Sequence, residues 1–521
     1  MRRIGIDVGG TNTDAVLLVD DRVAAAVKTP TTDDVTGGVV DALRRLIASL
    51  GDSAGPIDAV MIGTTHFTNA VVQRRGLARV AAVRIGLPSG ASLPPFIDWP
   101  PDLAEVVRGH VAMVEGGHEY DGRPLVPLDT EALRQAARRI RDAGITSVAV
   151  TAVFSPLTSE CEGRAADILR AVLPDVHVTL SHELGRIGLL ERENATILNA
   201  SIIDLAHRTT RALREAIAEA GVTAPLFLTQ NDGTVMRAEF AEAFPVYSFA
   251  SGPTNSMRGA AFLSGVRDAM VVDVGGTTSD IGHLKGGFPR EANRTVDVGG
   301  VRTLFRMPDL LSLGLGGGTL VDPDERRIGP ESVGHRITRE ALVFGGGKLT
   351  ATDVAVAAGL VRIGDPSRVA SLPPETVRLA VATFREMIEE GVDRMKVDAR
   401  PLPLLAVGGG SFLVPEELPG IGEVVRVEHA AVANAVGAAI AQVSGEIDRI
   451  FSGMAREEAL ARAEAIARRR ALEAGAEPSS LEVVELEDLP LAYLPGDARR
   501  VRVRVVGAAA TPLPEPAPDP R

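Results

Sequence analysis

The chain writes nearly the same loop twice: "IGIDVGGTNTDAVLL" over residues 4–18 and "VVDVGGTTSDIGHL" over residues 271–284. In register, Asp7 matches Asp273, Gly9 and Gly10 match Gly275 and Gly276, Thr11 matches Thr277, Asn12 stands opposite Thr278, and Asp14 matches Asp280. A Gly-Gly turn between apolar runs presents successive backbone N–H groups and lets an anion approach with no Cβ in the way. A carboxylate at the strand end, Asp7 or Asp273, suits a hydrated Mg²⁺ or the orientation of a nucleophile. One such loop is an ordinary turn. Two copies half a chain apart point to a duplicated α/β unit that grips a polyphosphate from both sides. A third glycine cluster, Gly408, Gly409 and Gly410 followed by Ser411, suits close approach of a nucleotide base and ribose.

Other chemistries are poorly represented. The nine histidines contain no His-x-His pair and no His-Glu-x-x-His, which argues against a zinc hydrolase. "GGGKLT" fails as a P-loop because Leu349 follows Lys348 where Ser or Thr is needed. No Gly-x-Ser-x-Gly elbow occurs. His182 and Glu183 read either as a base with its orienter or as a structural pair. Cys161 sits between Glu160 and Glu162, which disfavours its thiolate, and reads as structural.

The elements that must carry these loops follow from pattern. Residues 4–8 and 15–19 are short apolar runs on either side of the first Gly-Gly, a hairpin with a functional turn. "RVAAAVKTP" reads as a third strand, and the spacing from Val39 to Leu50 predicts a helix that stops at Gly51. Residues 129–220 alternate helix and strand. There, Asp129 or Thr130 caps one helix, and Ser159-x-x-Glu162 reads as a capping box. "PLFLTQNDG" is a strand ending in a polar turn, residues 374–396 form a long amphipathic helix, and "ARRVRVRVVG" reads as an alternating edge strand. The Pro/Ala-rich residues 508–521 are expected to be disordered.

At 521 residues, the chain is long enough for more than one core. A net charge of −13 argues against nucleic acid or an anionic membrane as a partner, so bound phosphates need local donors or a metal. One cysteine and no apparent signal peptide fit a cytoplasmic protein. Residues 430–443 are too short and too polar to span a bilayer.

The two loops and the glycine motif resemble those of the actin-like ATPase superfamily, which implies an α/β fold of two ribonuclease-H-like domains around an ATP cleft. The motifs "IGTTHFTNAVVQRRG", "TLSHELG", "QNDG", "SGPTNS", "GLGGGT" and "HAAVANAVGAA", in this order over residues 2–445, resemble the hydantoinase/oxoprolinase family more closely. That resemblance implies an ATP- and Mg²⁺-dependent, hydantoinase A-like subunit that hydrolyses a cyclic amide (a hydantoin, 5-oxoproline or a lactam) through a phosphorylated intermediate. It also implies a small-molecule substrate and a second, hydantoinase B-like subunit. The alternatives are a subunit of an ATP-dependent ketone carboxylase, and a non-catalytic ATP-gated scaffold.

By the same resemblance, Asp7, Asp273 and Asn69 are assigned to catalysis, and Asp7 and Asp273 to the metal. Gly9, Gly10, Thr11, Asn12, Asp14, Gly275, Gly276, Thr277, Thr278, Asp280, Gly408, Gly409, Gly410 and Ser411 are assigned to ATP. The His usual in the family before its glycine-rich "GAGGGS" is Leu311 here, which leaves a second metal open. The expected division is an N-terminal domain over 1–200 with the first loop, a second ATPase-like domain over 201–450, a C-terminal helix and strand over 451–507, and the tail.

Overall fold

The computed structural model describes residues 1–510 except Gly10, Arg306 and the segments 31–34, 51–54, 185–187, 293–295, 324–326 and 493–495. The first loop does join a hairpin. β1 (Arg2–Val8) pairs antiparallel with β2 (Asn12–Val19), and β2 pairs with β3 (Arg22–Pro30). On its other side β1 runs parallel to β4 (Ala59–Thr64), and β4 runs parallel to β9 (Leu226–Thr229). The resulting order is β3-β2-β1-β4-β9.

The second loop repeats this plan. β11 (Ala269–Val274) pairs antiparallel with β12 (Ser279–Lys285), and β12 with β13 (Phe288–Pro289). β11 also runs parallel to β19 (Leu402–Val407), and β19 parallel to β20 (Ile421–Arg426), giving β13-β12-β11-β19-β20. Both sheets thus have the same hairpin, the same parallel pair and the same order. This is the two-domain, ribonuclease-H-like architecture of the actin-like ATPases. β1, β4 and β9 are apolar on both faces because helices cover both sides of the sheet.

Three additions decorate the frame. Between β4 and β9 the chain inserts an all-parallel sheet of β5 (Val80–Leu87), β6 (Arg108–Glu115), β7 (Ser147–Ala152) and β8 (His177–Leu180), ordered β6-β5-β7-β8. Next to the second sheet lie β16 (Leu310–Leu313) paired with β12, and the hairpin β17 (Thr319–Asp322) and β18 (Arg327–Ser332), while the hairpin β14 (Val296–Val298) and β15 (Val301–Thr303) packs against the helices His66–Gln73 and Leu189–Glu219 beside the first sheet. The first sheet also extends past β9 through β10 (Val235–Arg237), β21 (Val443–Phe451), β23 (Arg499–Gly507) and β22 (Glu482–Pro490), to nine strands. That sheet therefore gathers chain from residues 2–64, 226–237 and 443–507.

β23 is not the edge strand its alternation suggests, because it lies between β21 and β22. Its arginines are neutralised by neighbouring acids rather than by water: Arg500 bonds Asp448 of β21, and Arg502 reaches Glu291 and Glu485. Of the tail, Ala508–Ala510 are held in place, with Ala509 bridged to Ala476 and Ala510 donating to the Gly475 carbonyl. Residues 511–521 of the expected disordered tail lie outside the described residues.

Two helices cross between the sheets, Ser251–Ser264 and Ala433–Ala439. Their backbones touch: a Cβ on Gly259 would collide with the Ala433 carbonyl, and one on Gly437 with the Asn255 carbonyl. The small residues of "SGPTNSMRGAA" and "ANAVGAA" permit this approach, and it sets where Asn255 and Asn434 project.

Candidate functional site

The two loops are closed by the same backbone hydrogen bond. Gly9 N–H donates to the Asn12 carbonyl at 3.0 Å, and Gly275 N–H donates to the Thr278 carbonyl at 2.9 Å. Asp7 lies opposite Asp14 across the first hairpin, and Asp273 opposite Asp280 across the second. The turns meet face to face, for a Cβ on Gly276 would stand 2.7 Å from Thr11 Oγ1. The amides of Gly276 and Thr277 have no partner among the described residues and remain available to an anion.

Between the turns lies a cleft of about 650 Å³. Gly9, Thr11, Asn12, Asp14, Asp273, Gly275, Gly276, Thr277, Thr278, Gly408, Gly409 and Gly410 all line it. Gly10 lies outside the described residues. The third glycine cluster is built for contact with the second loop. Gly408 sits at φ 86°, a Cβ there would strike Asp273, and Gly410 N–H donates to the Val274 carbonyl at 2.8 Å. The "GLGGGT" segment supports the same loop from outside: Gly317 and Gly318 donate to the carbonyls of Gly275 and Gly276, and a Cβ on Gly316 would lie 2.6 Å from Thr277 N.

Four assigned residues do not line this cleft. Asp7 is buried behind Asn434, which does line it. Asp280 accepts from Ser312 of β16, and its carboxyl is raised to about 6, chiefly by burial. Ser411 uses its carbonyl to accept from Arg426. Asn69 is on the exposed face of the helix His66–Gln73, where its side chain donates to Thr65 Oγ1 at 3.2 Å. Leu311 packs apolar side chain over Gly391 of the long helix Pro374–Met395, so position 311 belongs to the core of the second domain.

Asp7 is the most elaborately held carboxylate. It is 4% exposed and accepts from Asn434 Nδ2 at 2.9 Å and Asn255 Nδ2 at 3.4 Å. Asn255 also donates to Thr229 Oγ1 of β9, while Asn434 also donates to Asp14. The row Asp7–Asn255–Thr229 passes over Gly63 of β4, where a Cβ would come 2.5 Å from Asp7 Oδ1. Burial, and next the nearby Asp14 charge, push the Asp7 carboxyl up to about 7 against the two asparagine hydrogen bonds. Burial likewise raises Asp14, opposed by Lys28, and raises Asp273, opposed by Ser256 and Lys28. Lys28 Nζ stands 2.6 Å from Asp14 Oδ1 and is the one Lys or Arg among the described residues lining the cleft. Lys28, Ser256, Asn255 and Asn434 were not singled out in the sequence, although three of them lie inside the quoted motifs "SGPTNS" and "HAAVANAVGAA".

The donor set fits a divalent cation. Asp7, Asp14 and Asp273 repel one another in a largely buried place with only Lys28 to offset them, and Asn255 Oδ1 is a buried acceptor without a partner among the described residues. Among the same residues no group of three or more His, Cys, Asp or Glu is poised to bind a metal directly, so the fit is to an ion held through water and phosphate.

His182 has an orienter, but it is Glu162 and not Glu183. His182 Nδ1 lies 2.6 Å from Glu162 Oε2, and Glu162 also accepts from Ala152 N–H, Ser181 Oγ and His182 N–H. Burial alone would raise this carboxyl, but the His182 contacts outweigh it and hold Glu162 below the ordinary range. The capping-box reading of Ser159 and Glu162 therefore fails: Ser159 makes no side-chain cap, because Glu162 turns inward to the ends of β7 and β8. Cys161 is buried beside it, and burial pushes its thiol up, as a structural residue requires.

No helix among the described residues is long and apolar enough to cross a membrane. Residues 3–173 match the hydantoinase/oxoprolinase N-terminal region, and residues 192–365 match hydantoinase/oxoprolinase. The chain is 27% identical over 401 residues to the caprolactamase subunit alpha of Pseudomonas jessenii, covering 70% of this chain and 55% of that one. It is 24% identical over 391 residues to the acetophenone carboxylase gamma subunit of Aromatoleum aromaticum, covering 69% and 53%. The chain thus spans about half the length of these curated relatives. Among solved structures, the ATP-dependent caprolactamase of Pseudomonas jessenii superposes with a TM-score of 0.78 at 21% identity, covering 99% of this chain and 89% of that one. Nucleotide-free acetone carboxylase gives 0.72 at 19% identity, with the same coverage. With the paired loops, the repeated sheet order and the two matched regions in agreement, the chain belongs to the hydantoinase/oxoprolinase family.

Proposed function

We propose that this chain binds ATP between its two loops and uses it to activate the carbonyl of a cyclic amide for hydrolysis. The observation that carries the reading is the pair of equivalent Gly-Gly turns, each backed by an aspartate, opposed across one cleft. The amides of Gly276 and Thr277 and the Thr11 hydroxyl would hold the phosphates, with Lys28 as their cation. Asp7 and Asp273 would hold Mg²⁺ through water. Bound magnesium would neutralise charge on the phosphates. In the reaction, the amide oxygen attacks the terminal phosphorus and ADP leaves. Water then adds to the activated carbon, the ring C–N bond breaks with the nitrogen taking a proton, and a second water hydrolyses the resulting acyl phosphate to the carboxylate and inorganic phosphate. Asp7, fixed by Asn255 and Asn434, would orient a reacting group through Asn434, which lines the cleft and whose amide Asp7 holds in place. Asn69 is retained only as a residue near the strand ends, linked to the end of β1 through Thr65 and the Val8 carbonyl.

A second subunit is part of the proposal, because the named relatives are themselves subunits. The likeness to acetone and acetophenone carboxylases supports one rival, ATP-dependent carboxylation of a ketone. The deciding experiment measures ADP release by the chain, alone and with the product of a neighbouring subunit gene. Lactams, hydantoins, 5-oxoproline and ketones are supplied with and without bicarbonate. Lactam-dependent release without bicarbonate supports hydrolysis. Ketone-dependent release that requires bicarbonate supports the carboxylase. Release that ignores every substrate would leave only an ATP-gated scaffold.

A further inference from the structure

The side chains that line the cleft of about 650 Å³ divide by chemistry. Those with a hydrogen-bonding group belong to the two Gly-Gly turns or are tied to them: Lys28 and Asn434 bond Asp14, Ser256 bonds Asp273, and Thr352 Oγ1 donates to the Gly317 carbonyl at 2.8 Å. The rest of the described lining is apolar: Ile337, Phe344, Ile363 and Phe412, with glycine and alanine between them. Ile337 and Ile363 pack on a small cluster around Val343 and Val369, and Phe344 follows Val343 in the chain. Phe412 packs instead on the main core of the second domain. Two apolar walls thus rise from two separate clusters, and Phe344 is 36% exposed in its wall.

Gly409 lines the same cleft and is exposed. Its two neighbours are glycine because the protein crowds them: a Cβ on Gly408 would lie 2.3 Å from Asp273 Oδ1, and one on Gly410 would lie 2.7 Å from Val274 Cγ1. Gly409 is under no such constraint. A Cβ there would meet nothing within 4 Å, and its φ is outside the left-handed region that Gly408 occupies. The chain itself therefore tolerates a side chain at position 409. The bare backbone there keeps open a space that a flat ligand uses and a methyl group would obstruct.

We infer that the apolar end of the cleft seats a purine base by stacking alone, passing over Gly409 with Phe344 and Phe412 packed against it, and does not distinguish adenine from guanine or hypoxanthine. The inference rests on the nucleotide reading given above and adds the base selectivity of that site. Stacking on an aromatic side chain tolerates any base, since every base has a π face. Rejecting a wrong base requires a polar group of the protein that the wrong base leaves unpaired, and no described side chain at this end supplies one. The end is also open, with Phe344 and Gly409 both exposed, so the amino and oxo groups that differ between the purines keep their water. A pyrimidine has one ring in place of two and covers less of both walls.

The test uses the whole chain with Mg²⁺ and titrates ADP, GDP, IDP, CDP and inorganic pyrophosphate by calorimetry. GDP and IDP are expected to bind within about fivefold of ADP, and CDP and pyrophosphate about tenfold or more below it, because they offer the walls one ring or none. Phe344→Ala and Phe412→Ala should each weaken ADP and GDP alike, by about tenfold, and leave pyrophosphate unchanged, which reports an intact fold and phosphate site. Gly409→Ala should weaken ADP while the melting temperature without nucleotide stays as in the wild type. ADP bound more than tenfold tighter than both GDP and IDP overturns the inference and keeps the ATP reading. So does ADP bound no tighter than pyrophosphate, or wild-type ADP affinity in any of the three variants. Binding of none of the five ligands would reject the nucleotide cleft itself, and the inference with it.

Discussion

Replacing Asp7 by asparagine should stabilise the protein at alkaline pH while disabling it. The folded carboxyl titrates near 7 against an ordinary 3.8, so the native state holds this proton more tightly than the unfolded chain does. Stability from this group is therefore greatest at low pH and is lost as pH rises from about 4 to 7, after which it is flat. At about 1.4 kcal/mol for each tenfold change in acidity constant, ionised Asp7 costs roughly 4 kcal/mol at pH 8. About 2.5 kcal/mol of that accrues between pH 5 and pH 8.

The Asp7→Asn amide removes the charge but introduces a conflict. Its oxygen can accept from one of Asn434 and Asn255, while its NH₂ then faces the other NH₂. A lost buried hydrogen bond costs about 1–2 kcal/mol. The net expectation is a gain of roughly 2 kcal/mol at pH 8, a melting shift on the order of 3 °C for a domain of this size, and little change at pH 5. Scanning calorimetry of both proteins at the two pH values, without nucleotide, reads this directly. A shift of the same size at both pH values, or a less stable variant at pH 8, would show that buried Asp7 is not the strained charge described here. Substrate-dependent ATP turnover should fall by about 100-fold or more, with nucleotide affinity changed much less, because an orienting carboxylate acts chiefly in the transition state.

Asp273→Asn should instead raise the Michaelis constant for ATP, the mark of lost ground-state binding; equal effects of the two aspartate variants on both kinetic constants would mean one symmetric clamp. Lys28→Met should weaken ATP binding by about tenfold or more, measured by calorimetry, since no other Lys or Arg among the described residues lines the cleft. Gly408→Ala, strained at φ 86° and thrust against Asp273, should abolish the thermal shift given by millimolar Mg-ATP. Gly63→Ala should lower stability by roughly 1–3 kcal/mol in chemical denaturation, because its methyl would enter the Asp7–Asn255–Thr229 row.

The parts legible from the residues alone are those whose conformation is local. A Gly-Gly turn with an aspartate before it and an apolar run on each side can hardly be anything but a tight hairpin, so both loops and their strands were legible from residues 4–18 and 271–284. The strand before Gln230 and the long helix after Pro373 were legible for the same reason, through turn chemistry and periodicity. Which side chains meet is a matter of long-range packing. Asn255 and Asn434 reach Asp7 from 248 and 427 residues away, because two helices of small residues cross backbone to backbone between the domains. No local pattern contains that crossing. Glu162 looked like a cap from its spacing, yet it serves His182, because the ends of β7 and β8 offer it four donors where the helix start offers it fewer. β23 read as an edge strand because its arginines alternate, but packing supplied Arg500 and Arg502 with carboxylates and closed the sheet around it. Local sequence sets dihedral preferences. The partner of a buried polar group depends on where distant segments come to rest, and that is settled only once the chain is packed.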